Sequence, residues 1–494
     1  MTGSAISDDL YAGIDVGTQG VRVVVTDALG DVRGSGRVPL ASRRVGDLHE
    51  QDPSSWWTAV AAACRQACSS VRGRIRAVSV CSTSGTFALL DDGEPSTPGL
   101  MYNDRRGLPY AAAVRDAGRE LWDALGYPMQ GVWALPRLVA ALADPGPRRL
   151  WDSGDLRLAH QGDFINERLV GEIVPTDWAQ ALKTGYDVEH LRWPAEVFGE
   201  LGVSADGLPP VVPPGTVIGT VHAKAAEETG LHAGALVVAG TTDSCAAQIS
   251  AGALEPGHWN SVLGTTLAVK GASEHRIALP LHGVYSHRSP VDGWLPGGAS
   301  NVGAGFLAEH FGDDVGHNRD RGAARYEPTN GVVYPLVGVG ERFPFESSSI
   351  TAFSTISGSA KDERYAAALQ GIAFVERLAY DLLRAHGASL VGPLSVTGGA
   401  TRSRYWLGLR AAVLDHPVRL PREPQPAFGM AVAARGAHRG QTVVESAKEM
   451  IGHHPVIEPE PGRAARMNDG YLGFVEELVA RGYLRSGSAE RTPA

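Results

Sequence analysis

Cysteine is scarce in this chain, four residues in 494, far below the density of a disulfide-stapled scaffold. Long apolar runs are missing as well, and none approaches the roughly 18 residues that a membrane helix needs. There is no excess of positive charge: 45 Lys and Arg against 54 Asp and Glu leave a formal charge of -9, with a pI near 6.0. That balance argues against nucleic acid as a partner, because such binding needs clustered basic side chains to replace counterions. The densest basic clusters, Arg43-Arg44 and Arg148-Arg149, are short, lack interleaved aromatics and read as solvated surface. The first ten residues, MTGSAISDDL, have neither a basic start nor an apolar h-region, so no signal peptide is expected and the expected setting is cytoplasmic. The 31 prolines and 61 glycines are scattered, which implies many turns and no low-complexity linker.

What is present is a globular composition, 43% hydrophobic and 20% charged, on a chain too long for one ordinary core. Short β-type runs around Ile14 and over Val21 to Val25, with a turn at Asp27 to Gly30, predict a meander at the start of a domain. A helix is predicted from Pro53 to Ala67, capped by Asp52, and a buried strand from Arg74 into the small-residue loop ending at Gly85. A second β-rich start appears at Trp259 to Gly271, placing Gly264-Thr265 between two strand-like runs as the first places Gly17-Thr18. A duplicated pair of domains is the economical reading, divided as 9–254 and 255–485. In the second half an amphipathic helix is expected from about Asp362 to His386, with Leu369, Ile372, Val375, Leu378 and Leu382 as its stripe and Gly387 ending it. Leu394 to Trp406 reads as strand, Gly-Gly turn and helix, followed by helices near Phe428 to Ala437 and Tyr471 to Tyr483.

Chemistry enters at DVGTQGVR, where Asp15 interrupts an apolar strand just before Gly17-Thr18. Gly17 lets backbone amides approach a ligand, Thr18 adds a hydroxyl, and Arg22 on the next strand offers a second phosphate contact. An ionised aspartate beside a phosphate implies an intervening cation, Mg²⁺ held largely through water. Alone, this motif is equally a hairpin with a polar kink. The run VVAGTTDSCAA ends in Asp243 at a strand-to-helix junction, where a carboxylate can accept a hydroxyl proton or simply cap the helix. Cys64 and Cys68 lie one turn apart without a second ligand pair, and His453-His454 sits in a proline-flanked loop, so metal is not expected at either.

In that order and spacing, DVGTQGVR, GTTDSCAA, VLGTT and VTGGATRSRYW resemble the FGGY carbohydrate kinases, members of the actin/hexokinase/Hsp70 ATPase superfamily. The resemblance runs from Tyr11 to about Tyr483. It implies an α/β fold of two ribonuclease-H-like, actin-like ATPase domains flanking a deep cleft, sugar on the first domain and ATP mostly on the second. Asp15, Gly17, Thr18, Gln19 and Arg22 match the first phosphate motif, and Gly264, Thr265 and Thr266 the second. Gly398, Gly399 and Ala400 match the adenosine motif, with Arg402, Ser403 and Trp406 as neighbours of the nucleotide. Asp243 matches the catalytic base, and Asp15 with Asp243 would hold Mg²⁺ through water. Thr83, Ser84 and Gly85, Asn103 and Asp104 of MYNDRR, and Gln161 and Asp163 match sugar-facing segments.

The reaction implied is transfer of the ATP γ-phosphate to the terminal hydroxyl of a pentulose. Xylulose kinases typically carry Met-His-Gly where this chain has Thr83-Ser84-Gly85, which favours D-ribulose over D-xylulose. A polyol such as erythritol, ribitol or glycerol, or a non-catalytic sugar and nucleotide sensor, are the alternatives. Two further departures are Arg137 in place of a family lysine, and Lys183, which reads as solvated or as a partner for a sugar acid. The expected partner is a small sugar, with no nucleic acid or membrane, and a homodimer is compatible with the resemblance.

Overall fold

The computed structural model describes residues 9–312, 317–357 and 360–485. It divides into two compact units. The first comprises 1–252, 290–292 and 425–452 and the second 253–289, 293–424 and 453–494, so each break in one unit is filled by the chain of the other. Residues 425–452, which the expected division assigned to the second domain, pack with the first.

In the first unit the predicted meander forms β1 (Asp9–Gly17), β2 (Gly20–Thr26) and β3 (Val32–Pro39), paired antiparallel in sequence order. β4 (Arg74–Ser82) joins β1 in parallel, β6 (Leu236–Thr242) joins β4 in parallel, and β5 (Val217–Thr220) closes the edge antiparallel to β6. β1 is buried from Leu10 to Val16, as an apolar strand covered on both faces must be. Helix α1 (Pro53–Cys68) starts where Asp52 accepts the Ser54 amide at 2.9 Å, a cap that contributes about 1 kcal/mol. Its Trp56, Val60, Ala63 and Ala67 enter the same core as Ile14, Val21 and Val23. The opposite face of β1 is covered by a helix more than 400 residues further along: a Cβ on Gly13 would sit 1.8 Å from the carbonyl oxygen of Ala427. Only glycine permits that approach.

The second unit repeats the plan. β7 (Trp259–Leu263) and β8 (Leu267–Gly271) form a hairpin, β9 (Tyr285–Arg288) and β10 (Trp294–Ala299) extend it antiparallel, and β11 (Leu394–Thr397) runs parallel to β7 with β12 (Val418–Arg419) beyond it. A meander followed by a parallel strand thus occurs in each unit, so the duplication is one of topology.

Three helices depart from their sequence expectations. The helix Lys361–Ala385 carries the expected stripe, but every residue from Tyr365 to Glu376 is buried, so it is a core helix and not an amphipathic one. The closing helix runs Pro461–Ala480, ten residues earlier than expected, because Pro461 occupies its first turn, where a missing N–H costs nothing. The helix Pro426–Arg439 lies on β1 and β4 of the first unit, since its face of Ala427, Ala431 and Ala434 permits close contact with Tyr11 and Ala77.

Behind the second sheet, Glu376 and Arg410 form a fully buried pair at 2.7 and 2.8 Å, and Arg410 also donates to Ser261 Oγ on β7 at 3.0 Å. Removing one partner leaves a buried charge uncompensated. Glu376→Ala is expected to destabilise the protein by about 3–5 kcal/mol, and Glu376→Leu with Arg410→Met to recover most of that, as read by urea unfolding.

Candidate active site

Three parallel strands of the first unit end in register. Asp15 lies beside Cys81, Val16 beside Ser82, and Thr241 and Thr242 beside Cys81 and Ser82. The C-terminal edge of parallel strands is where α/β sheets place ligands, because loops and helix N-termini open there. Asp15 comes to this edge from β1 and Asp243 from the end of β6, where it starts the helix Asp243–Ser250. Asp243 Oδ1 accepts the Ser244 amide at 2.7 Å, which fixes the carboxylate plane.

Asp15 is 3% exposed. Its Oδ2 accepts from Arg22 Nη1 at 3.4 Å, directly across the β1–β2 ladder, and Cys81 Sγ approaches Oδ1 at 3.8 Å. Burial, reinforced by the negative charge of Asp243 and opposed by Arg22, pushes the Asp15 carboxyl up to about 6. Two neighbouring carboxylates that disfavour each other's ionisation form a pair that a divalent cation fits. Among the described residues no group of three or more His, Cys, Asp or Glu side chains could hold a metal by itself, so a cation at Asp15 and Asp243 would draw its other ligands from water and phosphate.

The turn Gly17–Gly20 caps this edge, its Thr18 and Gln19 carbonyls taken by Gln51 Nε2 at 2.8 Å and the Leu40 amide at 3.1 Å. Beside it lies the loop Thr83–Gly85. Thr83 Oγ1 is 2.7 Å from Thr86 Oγ1, and Gln161, with its amide oriented to satisfy its neighbours, donates to Thr83 Oγ1 at 2.9 Å and Val16 O at 3.1 Å. Ser84 Oγ is buried without a hydrogen-bond partner, so this loop keeps one polar atom uncommitted. Asn103 Oδ1 bonds His49 Nδ1. Asp104 and Asp163 have internal partners: Asp104 takes Arg106 at 2.8 and 2.9 Å and the His49 amide at 2.7 Å, while Asp163 takes the amide and Nδ1 of His160 at 3.0 and 2.8 Å. Both carboxylates therefore hold their own segments in shape.

Sequence reasoning missed two residues here. Gln180 donates to Ser82 Oγ at 2.8 Å and to Thr241 O at 3.2 Å, tying the ends of β4 and β6 together, and nothing in its sequence neighbourhood marks it. His49, 3% exposed, links the amide of Asn103 to the backbone of the same segment. Lys183, noted for its charge, reaches Ser84 O at 3.5 Å, so it borders the loop Thr83–Gly85. Arg137 is fully buried, and burial lowers its pKa to about 9. It donates to Gly85 O, Leu100 O at 2.9 Å and Met101 O at 2.7 Å, bolting the loop of Thr83–Gly85 to the segment before Asn103.

In the second unit β7 and β11 end side by side, and the turns that follow them meet. A Cβ on Gly398 would lie 2.3 Å from Leu263 O, so the two backbones touch there. Gly264 O accepts the Ala304 amide at 2.9 Å and Thr265 O the Gly305 amide at 3.0 Å, which presents the Thr265 and Thr266 side chains outward. Gly399 to Arg402 form a short 3₁₀ turn with Ala400 buried and Gly399 and Arg402 exposed. Ser403 is occupied in capping the next helix at Trp406 N and in donating to Asp320 Oδ2 at 2.7 Å. Trp406 belongs to the core, 5% exposed, so packing and not nucleotide contact accounts for it.

A cavity of the first unit, about 880 Å³ between Asp91, Arg157, Glu167 and His222, shares no residue with the strand ends. Arg137 Nε also donates to Val132 O at 3.1 Å and Trp133 O at 3.3 Å, so Arg137→Lys, with three donors, is expected to leave at least two of five carbonyls unserved, lowering the melting temperature by several degrees and raising KM for the sugar more than it lowers kcat, read by thermal scans and steady-state kinetics.

Comparison with known proteins agrees with this geometry. The family model for the FGGY family of carbohydrate kinases, N-terminal domain, matches residues 10–250, and its C-terminal counterpart matches 259–437. Xylulose kinases of Streptomyces rubiginosus and Streptomyces coelicolor are each 29% identical, over 92% and 97% of this chain and 94% and 99% of their own lengths. Among solved structures, a xyloylose kinase from Brucella ovis superposes with a TM-score of 0.86 at 25% identity, covering 96% of this chain and 99% of that one. A Plasmodium falciparum glycerol kinase with ADP, at 14% identity and a TM-score of 0.83 over 96% of this chain and 99% of that one, shares the fold. With both family domains matched in order and the two-domain actin-like ATPase fold in place, this chain belongs to the FGGY family of carbohydrate kinases and is a phosphotransferase acting on a sugar.

Proposed function

We propose that this kinase transfers the γ-phosphate of ATP to the terminal hydroxyl of a pentulose, with Asp243 as the general base. The observation that carries the reading is the convergence of Asp15, Asp243 and the Gly17–Gly20 turn on one edge of three parallel strands. A sugar hydroxyl is a weak nucleophile, and Asp243, held by the Ser244 amide, accepts its proton as the bond to phosphorus forms. Arg22 and the amides of Thr18 and Gln19 supply donors for the charge on the transferring group. Thr83, Ser84, Gly85, Asn103 and Gln161 orient the acceptor, with Asp104 and Asp163 keeping their segments in place. Gly264, Thr265 and Thr266 with Gly398, Gly399, Ala400, Arg402 and Ser403 receive the nucleotide. Mg²⁺ at Asp15 and Asp243 would neutralise charge on the phosphates. Four free thiols and the use of ATP support a cytoplasmic setting.

D-Ribulose is the favoured acceptor, on the strength of the Thr83-Ser84-Gly85 loop and its lack of an imidazole. D-Xylulose is the second reading, supported by the names of the relatives that match nearly the whole chain.

The test is ADP release from Mg-ATP with D-ribulose, D-xylulose, L-ribulose, ribitol, erythritol and glycerol. Turnover on one ketopentose, lowered about 10²–10⁴-fold by Asp243→Ala, is the expected result. ADP release that Asp243→Ala leaves untouched would sink the proposed role, and inertness towards every acceptor would favour a sensor.

A pH dependence follows from Asp15. Its folded-state pKa is raised above the ordinary 3.8 to about 6, so the folded protein holds this proton more tightly. The stability gained is present below pH 3.8 and is lost as pH rises through about 6. Asp15→Asn should therefore melt about 2–4 °C above the parent protein at pH 7.5, converge with it near pH 4, and be inactive as a kinase.

A further inference from the structure

Beside the phosphate turn lies a second cavity of the first unit, about 560 Å³, bounded by Gly17–Gly20, Arg22, Arg37, Leu40, Arg44 and Tyr102. No acidic residue lines it. Its guanidiniums arrive by sheet register: Asp15 faces Arg22 across the β1–β2 ladder, and Arg22 faces Arg37 across the β2–β3 ladder. Like charges directly opposite on neighbouring strands repel. The one carboxylate of that row is spent on Arg22 at 3.4 Å. Arg44 enters from the hairpin strand Arg43–Val45, which Gln51 ties to the turn through Ser42 Oγ at 2.9 Å and Thr18 O at 2.8 Å. Its neighbour Arg43 pairs with Glu50 at 3.2 Å, whereas neither Arg37 nor Arg44 pairs with a carboxylate among the described residues.

The turn adds donors and withholds acceptors. The Thr18 and Gln19 carbonyls are satisfied from within the protein, while the amides of the same two residues donate to no backbone carbonyl among the described residues. Tyr102, adjoining Asn103, forms the wall on the sugar side. The lining therefore offers three guanidiniums and two amides, more positive charge than one transferring phosphate and a neutral pentulose require.

We infer that this cavity is an anion subsite, in which Arg37 and Arg44 hold a phosphate or carboxylate carried by the acceptor or by its phosphorylated product. The inference rests on the kinase reading for the identity of its neighbours and adds the chemical class of the ligand. A carboxylate on the acceptor and the phosphate of the product present the same oxygens to the same donors, and experiment separates them.

The variant Arg37→Gln/Arg44→Gln leaves Arg22 and Asp243 intact. Inorganic phosphate is titrated calorimetrically into the full-length parent protein, into this variant, and into Arg37→Lys/Arg44→Lys, with thermal scans confirming that each is folded. The expected result is affinity weakened about tenfold in the glutamine variant and kept within about threefold in the lysine one. Equal affinity in all three overturns the inference, as does equal weakening in both variants. In kinetics, KM for the neutral pentulose should stay within about twofold. A loss of turnover confined to the matching aldonate places the anion on the acceptor, and relief of inhibition by the pentulose phosphate places it on the product. Phosphate binding needs no turnover, so a protein inert towards every sugar that still shows the tenfold loss would refute the kinase reading and leave the subsite standing.

Discussion

The fold is organised around one electrostatic problem, the nearly complete burial of the Asp15 carboxylate next to a second carboxylate. Burial alone disfavours the ionised form, and Asp243 disfavours it further, so the apo protein carries Asp15 against its own stability. Such an arrangement persists only if surrounding structure holds it in place. Here the hold comes from β1, covered on both faces, from the in-register ends of β4 and β6, and from Arg22, which the β1–β2 ladder sets opposite Asp15. A polyvalent anion with its cation relieves the conflict, which is a physical reason for a phosphate-transfer site to be built this way.

The neighbouring loops are tied by side chains that do no chemistry. Gln180 spans β4 and β6, Gln51 joins the Gly17–Gly20 turn to Ser42 beside the hairpin strand Arg43–Val45, and Arg137 grips three carbonyls of the loops that hold Gly85 and Leu100-Met101. Each is buried, and each satisfies backbone groups that irregular loops would otherwise leave unpaired. Arg137 is thus structural, since a planar guanidinium can serve carbonyls in several directions and an ammonium serves fewer.

How much of this was legible depended on the range of the interaction. The meander, the helix capped by Asp52 and the Gly-Gly turn after β11 are written in local residues, because caps, β-branched runs and glycine act over a few positions. The Gly17–Gly20 turn and the strand-to-helix junction at Asp243 were readable for the same reason. The duties of Asp104 and Asp163 were not: as sequence both are carboxylates expected to face the sugar, and only folding shows Arg106 and His160 beside them. The helix from Tyr365 to Glu376 reads as one stripe, yet its whole circumference is buried once neighbouring elements cover it.

By itself, the sequence determined the fold class, the family and the order of the motifs, since these follow from residue type and short spacing. Tertiary structure alone decided that Pro426–Arg439 returns to cover β1 of the first unit, because the small surface of Gly13 that admits it lies more than four hundred residues away. It also decided that Arg22, Arg37 and Arg44 share one cavity, since strand register and a hairpin bring them together, and neither is a property of any short stretch of chain.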